Sequence, residues 1–435
     1  MQKKALIESL IEFLDQSPSS YHAIQNCCKR LIHYGFKELR ENEIWNLKSE
    51  EKYFVHRDGS SLCAFVTPKT LPKKIRLLAS HTDSPGFKLK PNPEIKSAGT
   101  ILFGLEVYGA PILSSWLNRD LGLAGRVIVN DKQSLKKHLV NFKEFPLTIP
   151  QVALHLDRDI NDKGLQLNKQ NHLNALIGLE STFSNSNETA LQQLLHNELS
   201  NKEIVAHDLF LYPLEKPSLT GFKNDFISSY RIDSLSSVHA ALHSLIEQNK
   251  PLEDELKMIL FWDHEEVGST TTQGAESPFF SAIIERIISG FQGTREDYHL
   301  MISNSLCLSI DLAHALHPNF IEKHDSNHQP ILGKGTVIKF NAQQRYATSA
   351  YAAILETIAK NNRLNIQKFV SRNDIPCGST IGPIHASKTG MITIDIGSPQ
   401  LSMHSSRELM ACQDHIEMCQ LLEAVFALEK LPIIN

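Results

Sequence analysis

The spacing of apolar residues divides the chain into helical and strand-like segments. The N-terminal segment carries apolar residues at the spacing of one helical face: Leu6, Ile7, Leu10, Ile11 and Leu14. This spacing predicts an amphipathic helix, because residues three and four apart lie on the same side of a helix. Continuous apolar runs at 62–66 and 75–80 predict two buried strands.

After residue 226, helices and strands are predicted to alternate along the chain. A helical segment follows Asp233, and apolar runs at 257–262, 306–310 and 391–396 predict strands. Helical stretches lie between these runs, and a last helix is predicted near the C-terminus. The alternation predicts an α/β fold with a mixed, largely parallel sheet sandwiched by helices.

The middle of the chain, from about residue 101 to 210, has a different pattern. Short β-like segments are separated by turns, and few long helical periods occur. We therefore predict a β-rich domain at 96–224, inserted into a discontinuous α/β domain formed by 1–95 and 225–435. The stretch 181–193 is rich in Ser, Asn and Gln, which predicts an exposed or partly disordered loop.

Composition narrows the class of protein. A chain of 435 residues is too long for a single ordinary hydrophobic core, which favours more than one domain. Its 41% of hydrophobic and 21% of charged residues are usual for a globular protein. The net charge of -4 argues against nucleic acid as the main partner, since binding phosphates needs a basic face. No apolar run reaches the length of about 18 residues that predicts a membrane span. The cysteines are scattered without a CxxC pair, and no signal peptide is evident, so we expect a cytoplasmic protein with reduced thiols.

Acidic residues and histidines stand where several predicted strands end. In open α/β sheets the carboxyl ends of parallel strands meet at one edge, where ligands bind. Side chains at these strand ends are therefore expected to converge in space. In chain order they are His81 and Asp83, the segment DHEE at 263–266, Asp311 and His404.

A cluster of carboxylates needs compensating positive charge, because burying an unpaired charge is costly. A divalent metal ion supplies that charge, and His nitrogen with carboxylate oxygen suits Zn²⁺, Mn²⁺ or Co²⁺. Two histidines and several acids without cysteine are typical of a catalytic or dinuclear site.

Each of these residues also has an ordinary structural interpretation. Asp233 and Asp311 could cap the helical segments that follow them, and Glu265 with Glu266 could be a solvated acidic pair. The two histidines could be packed side chains. Each ordinary interpretation is reasonable for a single residue. All of them would have to be correct at once, each at a separate strand end, and this combination is less favoured than one metal site.

Longer motifs make the sequence recognisable. They include ASHTDSPGFKLKP (79–91), VALHLDRD (152–159), RIDSL (231–235), DHEEVGSTTTQGA (263–275), IKFNAQQRYAT (338–348) and DIGSPQLSMHSSREL (395–409). In these motifs and their order, the chain resembles the aspartyl aminopeptidase family, within the clan of co-catalytic zinc exopeptidases. The resemblance runs nearly end to end, and HTDSP, HEEVGS and GSPQLSMHS together are highly specific.

The resemblance implies a set of metal ligands. One divalent ion would be bound by His81 and Asp311, and a second by Glu266 and His404. Asp233 would bridge the two ions. They would be Zn²⁺, with Mn²⁺ or Co²⁺ as alternatives.

The resemblance also implies roles beside the ligands. Asp83 would orient His81 through its other ring nitrogen, and Glu265 would be the general base that activates a metal-bridging water. The family usually has Asn after the bridging acid, whereas this chain has Ser234. A hydrogen bond near that carboxylate is therefore expected to be lost or taken by water. His385 is a second unusual residue.

The implied activity is hydrolysis of the N-terminal residue of peptides, with a preference for Asp or Glu. The side-chain pocket then needs a cation, for which Lys339 is the first candidate and Arg345 the second. Lys339 could instead be a strand-edge lysine in water. Two other functions stay open: a dinuclear deacylase of the same clan, and a non-catalytic oligomeric scaffold.

The inserted domain gains a role from the resemblance as well. In the family it mediates dimerisation, and the subunits assemble further, commonly into a tetrahedral dodecamer. His155 would reach from one subunit into the active site of its neighbour. The alternative for His155 is a strand histidine in a dimer interface.

Overall fold

The computed structural model describes residues 2–131, 134–183, 188–199 and 203–432. The helices in these ranges are α1 (Gln2–Asp15), α2 (Ser20–His33), α3 (Ile160–Lys163), α4 (Glu180–Phe183), α5 (Ala190–Leu199), α6 (Ile232–Glu247), α7 (Phe279–Gly290), α8 (Arg295–Ser303), α9 (Ala352–Asn361), α10 (Ile381–Thr389) and α11 (Cys412–Ala427). Three short 3₁₀ turns add to these: Leu113–Trp116, Glu265–Val267 and Ile321–Lys323.

The strands of the described residues divide between two sheets. They are β1 (Lys37–Leu39), β2 (Lys52–Arg57), β3 (Ser61–Val66), β4 (Lys74–His81), β5 (Gly86–Ser97), β6 (Thr100–Tyr108), β7 (Leu121–Asp131), β8 (Ser134–Leu147), β9 (Ala175–Leu179), β10 (Glu203–Pro213), β11 (Ser218–Thr220), β12 (Phe226–Ser229), β13 (Glu255–Trp262), β14 (Leu306–His314), β15 (Thr336–Phe340), β16 (Ile366–Val370), β17 (Ile392–Leu401) and β18 (Glu408–Ala411).

The larger sheet has twelve strands and forms the centre of the α/β fold. Its order is β1-β2-β3-β13-β4-β14-β17-β18-β12-β11, and β15 pairs with both β17 and β16. The central strands β13, β4, β14 and β17 are parallel. Antiparallel pairs flank them, for example β3 with β13 and β17 with β18. The prediction of a mixed, largely parallel sheet is confirmed, with the parallel part at its centre.

Helices cover both faces of this sheet. On one face, α1, α2, α6, α9 and α11 share a core with the strands, and on the other face α7, α8 and α10 do so. Along β13, Ile259 and Phe261 point to the first core, whereas Met258 and Leu260 point to the second. Burial on both faces explains the continuous apolar runs in the central strands.

Six further strands form an antiparallel sheet in the order β8-β7-β10-β5-β6-β9. They come from the middle of the chain, between Gly86 and Pro213, and have an apolar core of their own. This second sheet fits an inserted domain. Its first strand, β5, begins before residue 96, and the boundaries given from the sequence stay a prediction.

One local prediction needs correction. The stretch 181–193 was expected to be a loop, but α5 begins at Ala190, and Leu191 and Leu195 on it are buried in the core of the second sheet. The polar residues of α5 lie on its opposite side. They dominate the composition of this stretch, so composition did not indicate the apolar face of the helix. Residues 184–187 of this stretch lie outside the described residues.

Among the described residues, no helix has the length and apolar character needed to cross a membrane.

Candidate metal centre

The carboxyl edge of the parallel strands brings the acids and histidines of the sequence motifs together. His81 ends β4, Asp311 lies in β14, and Glu266 lies in the 3₁₀ turn after β13. His404 follows β17, and Asp233 stands in the first turn of α6. The five residues therefore come from five different parts of the chain.

Asp233 lies between the two histidines. Its Oδ1 is 3.3 Å from His81 Nε2, and its Oδ2 is 3.7 Å from His404 Nε2. Asp311 Oδ1 lies 3.4 Å from the same nitrogen of His81, and Glu266 Oε1 lies 3.5 Å from His404 Nε2. The side chains thus form two groups, and Asp233 belongs to both.

The chemistry of this donor set fits divalent cations. His81 and Asp233 are almost fully buried, yet Asp233 Oδ1 has no hydrogen-bond partner. A buried carboxylate oxygen without a donor is costly, and a cation removes that cost. Ligand atoms of His81, Asp233 and Glu266 lie within 4.8 Å of one another. The His404 side chain is 28% exposed, so the cluster opens to solvent on that side.

The charges in the cluster disturb one another strongly. Burial raises the pKa of Asp233, and Asp311 adds to the shift. Burial likewise raises the pKa of Glu266 well above its usual range and that of Glu265 to about 8. Burial opposes protonation of His81, but the carboxylates around it hold its pKa well above the usual range. Such mutual repulsion among acids is what bound cations would relieve.

Asp83 holds the turn that carries two of the acids. Its carboxylate accepts the backbone N–H groups of Glu265 and Glu266, each at 3.1 Å, and the Tyr108 hydroxyl at 2.8 Å. Asp83 Oδ1 also lies 3.4 Å from His81 Nδ1, the ring nitrogen opposite to the one in the cluster. Asp83 is therefore placed to orient both His81 and the turn.

The backbone at the cluster adopts uncommon conformations. Arg231, His264 and His404 have φ values of 65°, 61° and 66°, in the left-handed region that side chains with a Cβ rarely adopt. Each lies at a cluster residue or within two residues of one. The peptide bond between Asp233 and Ser234 is cis. Left-handed conformations such as those of Arg231, His264 and His404 are often found at functional sites.

Ser234 follows Asp233, at the position where the resemblance led us to expect Asn. Its hydroxyl lies 3.2 Å from that of Ser80, and both side chains are fully buried. Ser234 is therefore a buried residue whose hydroxyl contacts the neighbouring strand β4. The expected loss of a hydrogen bond at the Asp233 carboxylate stays a prediction.

Glu408 is a residue of the site that the sequence analysis did not identify. It is buried at the start of β18, and it accepts two backbone N–H groups. Oε2 accepts from Asp233 at 2.9 Å, and Oε1 accepts from His404 at 2.8 Å. The only sequence signal was its place in the motif GSPQLSMHSSREL, since a single acid in a short strand indicates nothing by itself.

The second sheet also contributes to the cluster. The Ala110 carbonyl, just after β6, lies 3.0 Å from His404 Nδ1, and the Ile112 N–H donates to the His404 carbonyl at 2.9 Å. A carbonyl can only accept, so Nδ1 carries the proton and Nε2 presents its lone pair to Asp233 and Glu266. This tautomer is the one that a metal-binding histidine needs.

The two predicted pocket cations lie in different surroundings. Lys339 is 1% exposed; its ammonium donates to the Leu312 carbonyl at 2.9 Å and lies 3.4 Å from Asp311 Oδ2. It is therefore not a strand-edge lysine in water, and its charge already serves Asp311. Arg345 is exposed and lines a cavity of about 440 Å³ together with Asn341 and Arg372.

His155 is not brought into the cluster within one chain. It lies in an exposed turn after β8, where Val152, Leu154 and Leu156 are 57%, 53% and 83% exposed. The segment thus presents an apolar surface with a histidine at its centre. Contiguous exposed apolar surface of this kind often marks a protein interface.

Two histidines and three carboxylates, gathered at the carboxyl edge of a parallel α/β sheet, form a donor set of the kind found in metal-dependent enzymes. The sequence profile of the M18 family, described as aminopeptidase I zinc metalloproteases, matches residues 13–426. The chain belongs to the M18 family of zinc aminopeptidases. The resemblance seen in the sequence is thereby confirmed, because M18 includes the aspartyl aminopeptidases.

Individual relatives agree with this assignment. The probable M18 family aminopeptidase 2 of Clostridium acetobutylicum is 41% identical over 418 residues, covering 94% of this chain and 95% of its own length. Its namesake in Ectopseudomonas mendocina is 37% identical and covers 99% of this chain and 100% of its own. Ape4, solved in complex with Nbr1, superposes with a TM-score of 0.94 at 35% identity, over 98% of this chain and 86% of the Ape4 chain. The fold is shared with the M18 aminopeptidase of Thermotoga maritima, at a TM-score of 0.87, 21% identity and coverage of 98% and 96%.

Proposed function

We propose that the protein is a dinuclear metallo-aminopeptidase that removes acidic N-terminal residues from peptides. The observation that carries this proposal is the arrangement of the five ligand-type side chains in two groups that share Asp233. Membership of the M18 family supports the class of reaction. The number of ions, the roles of single residues and the acidic preference are parts of the proposal.

Two zinc ions fit the two groups of side chains. His81 and Asp311 would hold one ion, Glu266 and His404 would hold the other, and Asp233 would contact both. When bound, the ions supply positive charge that polarises the scissile carbonyl and makes a water molecule more acidic. Mn²⁺ or Co²⁺ could occupy the same donors.

Glu265 is the proposed general base. It stands beside Glu266 in a turn held by Asp83, and its carboxylate is close enough to His81, Asp233 and Asp311 for their charges to change its pKa. Bound cations would lower this raised pKa towards neutrality. Glu265 would then take a proton from the attacking water and pass it to the leaving amine.

A cavity beside His404 supports the acidic preference. It has a volume of about 370 Å³, and its wall includes residues 400–403 next to His404. Lys323 and Arg372 contribute positive charge to this wall, although Arg372 is paired with Asp374 and Asp325 also lines the cavity. Burial lowers the pKa of His314 to about 4, so this histidine adds no charge near neutral pH. An anionic side chain of the substrate would be attracted there. Lys339 and Arg345 stay predictions from the sequence, and Lys323 and Arg372 join them. The contact of the Lys339 ammonium with Asp311 favours a role for Lys339 at the metal cluster over one in the pocket.

The protein is proposed to act as a homo-oligomer. The exposed apolar turn around His155 offers an interface, and the S. cerevisiae mApe1 dodecamer superposes with a TM-score of 0.84 at 26% identity, over 98% of this chain and 97% of its own. His155 would reach the oxyanion in the active site of a neighbouring copy, so a dimer is the smallest active unit. A dodecamer is the proposed full assembly, and a cytoplasmic location stays a prediction.

A substrate panel tests the activity. Protein stripped of metal, and then loaded with Zn²⁺, Mn²⁺ or Co²⁺, is assayed on chromogenic amides of every N-terminal residue type. We expect turnover only after loading, with the highest kcat/KM for Asp and Glu. The same amides with an acetylated amine should be inert.

Two outcomes of the panel would point elsewhere. Hydrolysis of blocked substrates in preference to free amines would indicate a deacylase of the same clan. A protein that takes up no metal at the cluster and hydrolyses nothing would indicate a scaffold. Equal rates on acidic and neutral residues would remove only the specificity from the proposal.

A further inference from the structure

A second group of metal-binding side chains lies between two helices on one face of the large sheet. His239 and His243 are four residues apart on α6, and His415, Cys419 and Glu423 have the same spacing on α11. Residues four apart lie on one face of a helix, so each helix presents a row of ligands. The helices pack against each other, and the two rows meet in the seam between them.

The inner members of these rows have the spacing of metal ligands. His239 Nδ1 lies 3.1 Å from His415 Nε2, and Cys419 Sγ lies 3.6 Å from the same nitrogen. All three ligand atoms lie within 4.8 Å of one another. Tetrahedral bonds of ~2.0 Å to nitrogen and ~2.3 Å to sulfur place neighbouring ligand atoms roughly 3.3–3.6 Å apart. Among the described residues, no other cysteine belongs to such a group.

Hydrogen bonding alone does not satisfy this cluster. His415 Nε2 is approached by both His239 and Cys419, but an imidazole nitrogen offers either one lone pair or one proton. His415 Nδ1, on the other side of the ring, is buried without a hydrogen-bond partner, and a cation on Nε2 would not change that. A cation at the point where the three atoms converge would accept all three lone pairs together.

The surroundings of His239 favour the tautomer that binds metal. Its Nε2 lies 3.1 Å from Ser9 Oγ, and this oxygen also accepts a hydrogen bond from Arg30 at 3.1 Å. A proton on Nε2 donated to Ser9 leaves Nδ1 with its lone pair facing His415. Metal-binding histidines almost always donate their other ring N–H in this way.

The outer members of the rows provide a way in. The three inner residues are at most 1% exposed, whereas the side chains of His243 and Glu423 are 29% and 30% exposed. His243 and Glu423 lie 3.2 Å apart, and the His243 ring is parallel to that of His239 at 6.3 Å. An ion could pass from this exposed pair to the buried ligands.

The ligands also select the kind of ion. Thiolate with imidazole suits soft d¹⁰ ions, Zn²⁺ and Cu⁺, better than the hard ions that prefer oxygen. The Arg30 guanidinium close by disfavours a large net positive charge in this buried site. Two neutral imidazoles and one thiolate give the site a net charge of +1 with Zn²⁺ and zero with Cu⁺. Neither charge is large, so both ions are compatible with the nearby Arg30 guanidinium.

We propose that His239, His415 and Cys419 bind a thiophilic d¹⁰ metal ion, separate from the dinuclear centre and entered past His243 and Glu423. The ion would join α6 to α11. Because α6 carries Asp233 in its first turn, the ion would fix a helix on which the dinuclear centre depends. The proposal rests on this cluster alone and does not require peptidase activity.

Cobalt spectroscopy distinguishes this site from the dinuclear centre. Metal-free, reduced full-length protein is titrated with Co²⁺ as a stand-in for Zn²⁺. The dinuclear centre has only nitrogen and oxygen ligands, so a thiolate-to-cobalt charge-transfer band in the near ultraviolet can come only from a cysteine. We expect this band in the wild-type protein and its loss in Cys419→Ser and His415→Gln. Cys412→Ser, a change on the same helix, should keep it.

A second titration tests Cu⁺. Under anaerobic conditions, the wild-type protein should take Cu⁺ from a colorimetric chelator, and Cys419→Ser should take one equivalent less per chain. Circular dichroism of the metal-free variants shows whether they are folded. The titration of the wild-type protein tests the proposal even if a variant fails to fold. A wild-type protein that gives no thiolate band and removes no Cu⁺ overturns the proposal. A band that persists in Cys419→Ser overturns it equally.

Discussion

The carboxylate of Glu408 accepts the backbone N–H of Asp233, with 2.9 Å between the nitrogen and Oε2. Its other oxygen accepts the N–H of His404, so one buried side chain joins the segments of two candidate ligands that are far apart in sequence. Glu408 bonds to the backbone N–H groups of Asp233 and His404. It therefore fixes the position of the backbone from which both side chains extend. Its place suggests that metal affinity depends on a residue outside the ligand set.

Glu408→Gln should weaken zinc binding by about 10–100-fold, the usual cost of losing a partner that orients a metal ligand. The amide offers one acceptor in place of two, so one of the two N–H groups loses its partner. Competition with a chromogenic chelator measures the affinity. Glu417→Gln on α11 is the control, because this buried acid bonds to Asn365 instead. Unchanged zinc affinity in Glu408→Gln would show that the segments are held by other contacts.

Glu265→Gln should lower kcat by about 10²–10⁴-fold, the usual contribution of a general base. Glutamine has nearly the same shape but cannot take the proton, so metal content and KM should change little. Steady-state kinetics with metal analysis checks this, and Glu276→Gln, whose acid pairs with Lys388, is the matched control. Full activity in Glu265→Gln would mean that another group is the base.

Mixing of variants tests whether His155 acts across subunits. His155→Ala and Glu265→Gln should each be nearly inactive as homo-oligomers. In mixed oligomers, the intact Glu265 of one chain can meet the intact His155 of the other. Co-expression of the two chains should therefore restore part of the activity. If oligomers that demonstrably contain both chains stay inactive, His155 does not act in a neighbouring site.

Lys339→Met should lower kcat/KM on acidic and neutral substrates to a similar extent. The change removes the ammonium that lies 3.4 Å from Asp311 Oδ2, and Asp311 is one of the proposed ligands. The ratio of the two kcat/KM values is the quantity to measure, with Arg345→Gln as the comparison. A loss confined to acidic substrates would instead support the pocket role that the sequence predicted for Lys339.

His385 should make the fold sensitive to acid. Burial lowers its pKa to about 4, against 6.5 for an unburied histidine. Between these values the unfolded chain binds more protons, so the free energy of unfolding falls as the pH falls, by about 3 kcal/mol for this residue. Urea unfolding should show a shallower pH dependence in His385→Met than in the wild type. The exposed His33→Met is the control, and an equal slope in all three proteins would contradict the prediction.

The sequence predicted the parts of the structure that depend on local pattern. Continuous apolar runs indicated the central strands, and the residues after them, such as His81 and Asp311, had to meet at one edge because parallel strands align their ends. The family motifs then supplied roles that spacing cannot supply. The convergence of the candidate metal ligands could therefore be predicted from the sequence, and their roles as ligands stay a prediction.

Other features depend on contacts that the sequence does not display. Tyr108, Ala110 and Glu408 belong to the site through hydrogen bonds to distant segments, and nothing around them in the chain indicates a partner. The strand β5 was hidden by Pro91 and Pro93. These prolines are accommodated where the pairing of β5 with β6 shifts register, between Leu89 and Glu94.

Tyr108 donates a hydrogen bond to Asp83, and the Ala110 carbonyl accepts one from His404; these two contacts have a consequence for evolution and engineering. The segment after β6 forms part of the wall of the candidate metal centre, and the turn after β8 of the same sheet is the proposed surface for assembly. A substitution that reshapes the proposed subunit contacts is therefore expected to alter turnover through the position of His404 as well as through His155. Changes in the proposed subunit contacts and changes in the metal centre are therefore expected to affect each other, both in evolution and in protein engineering.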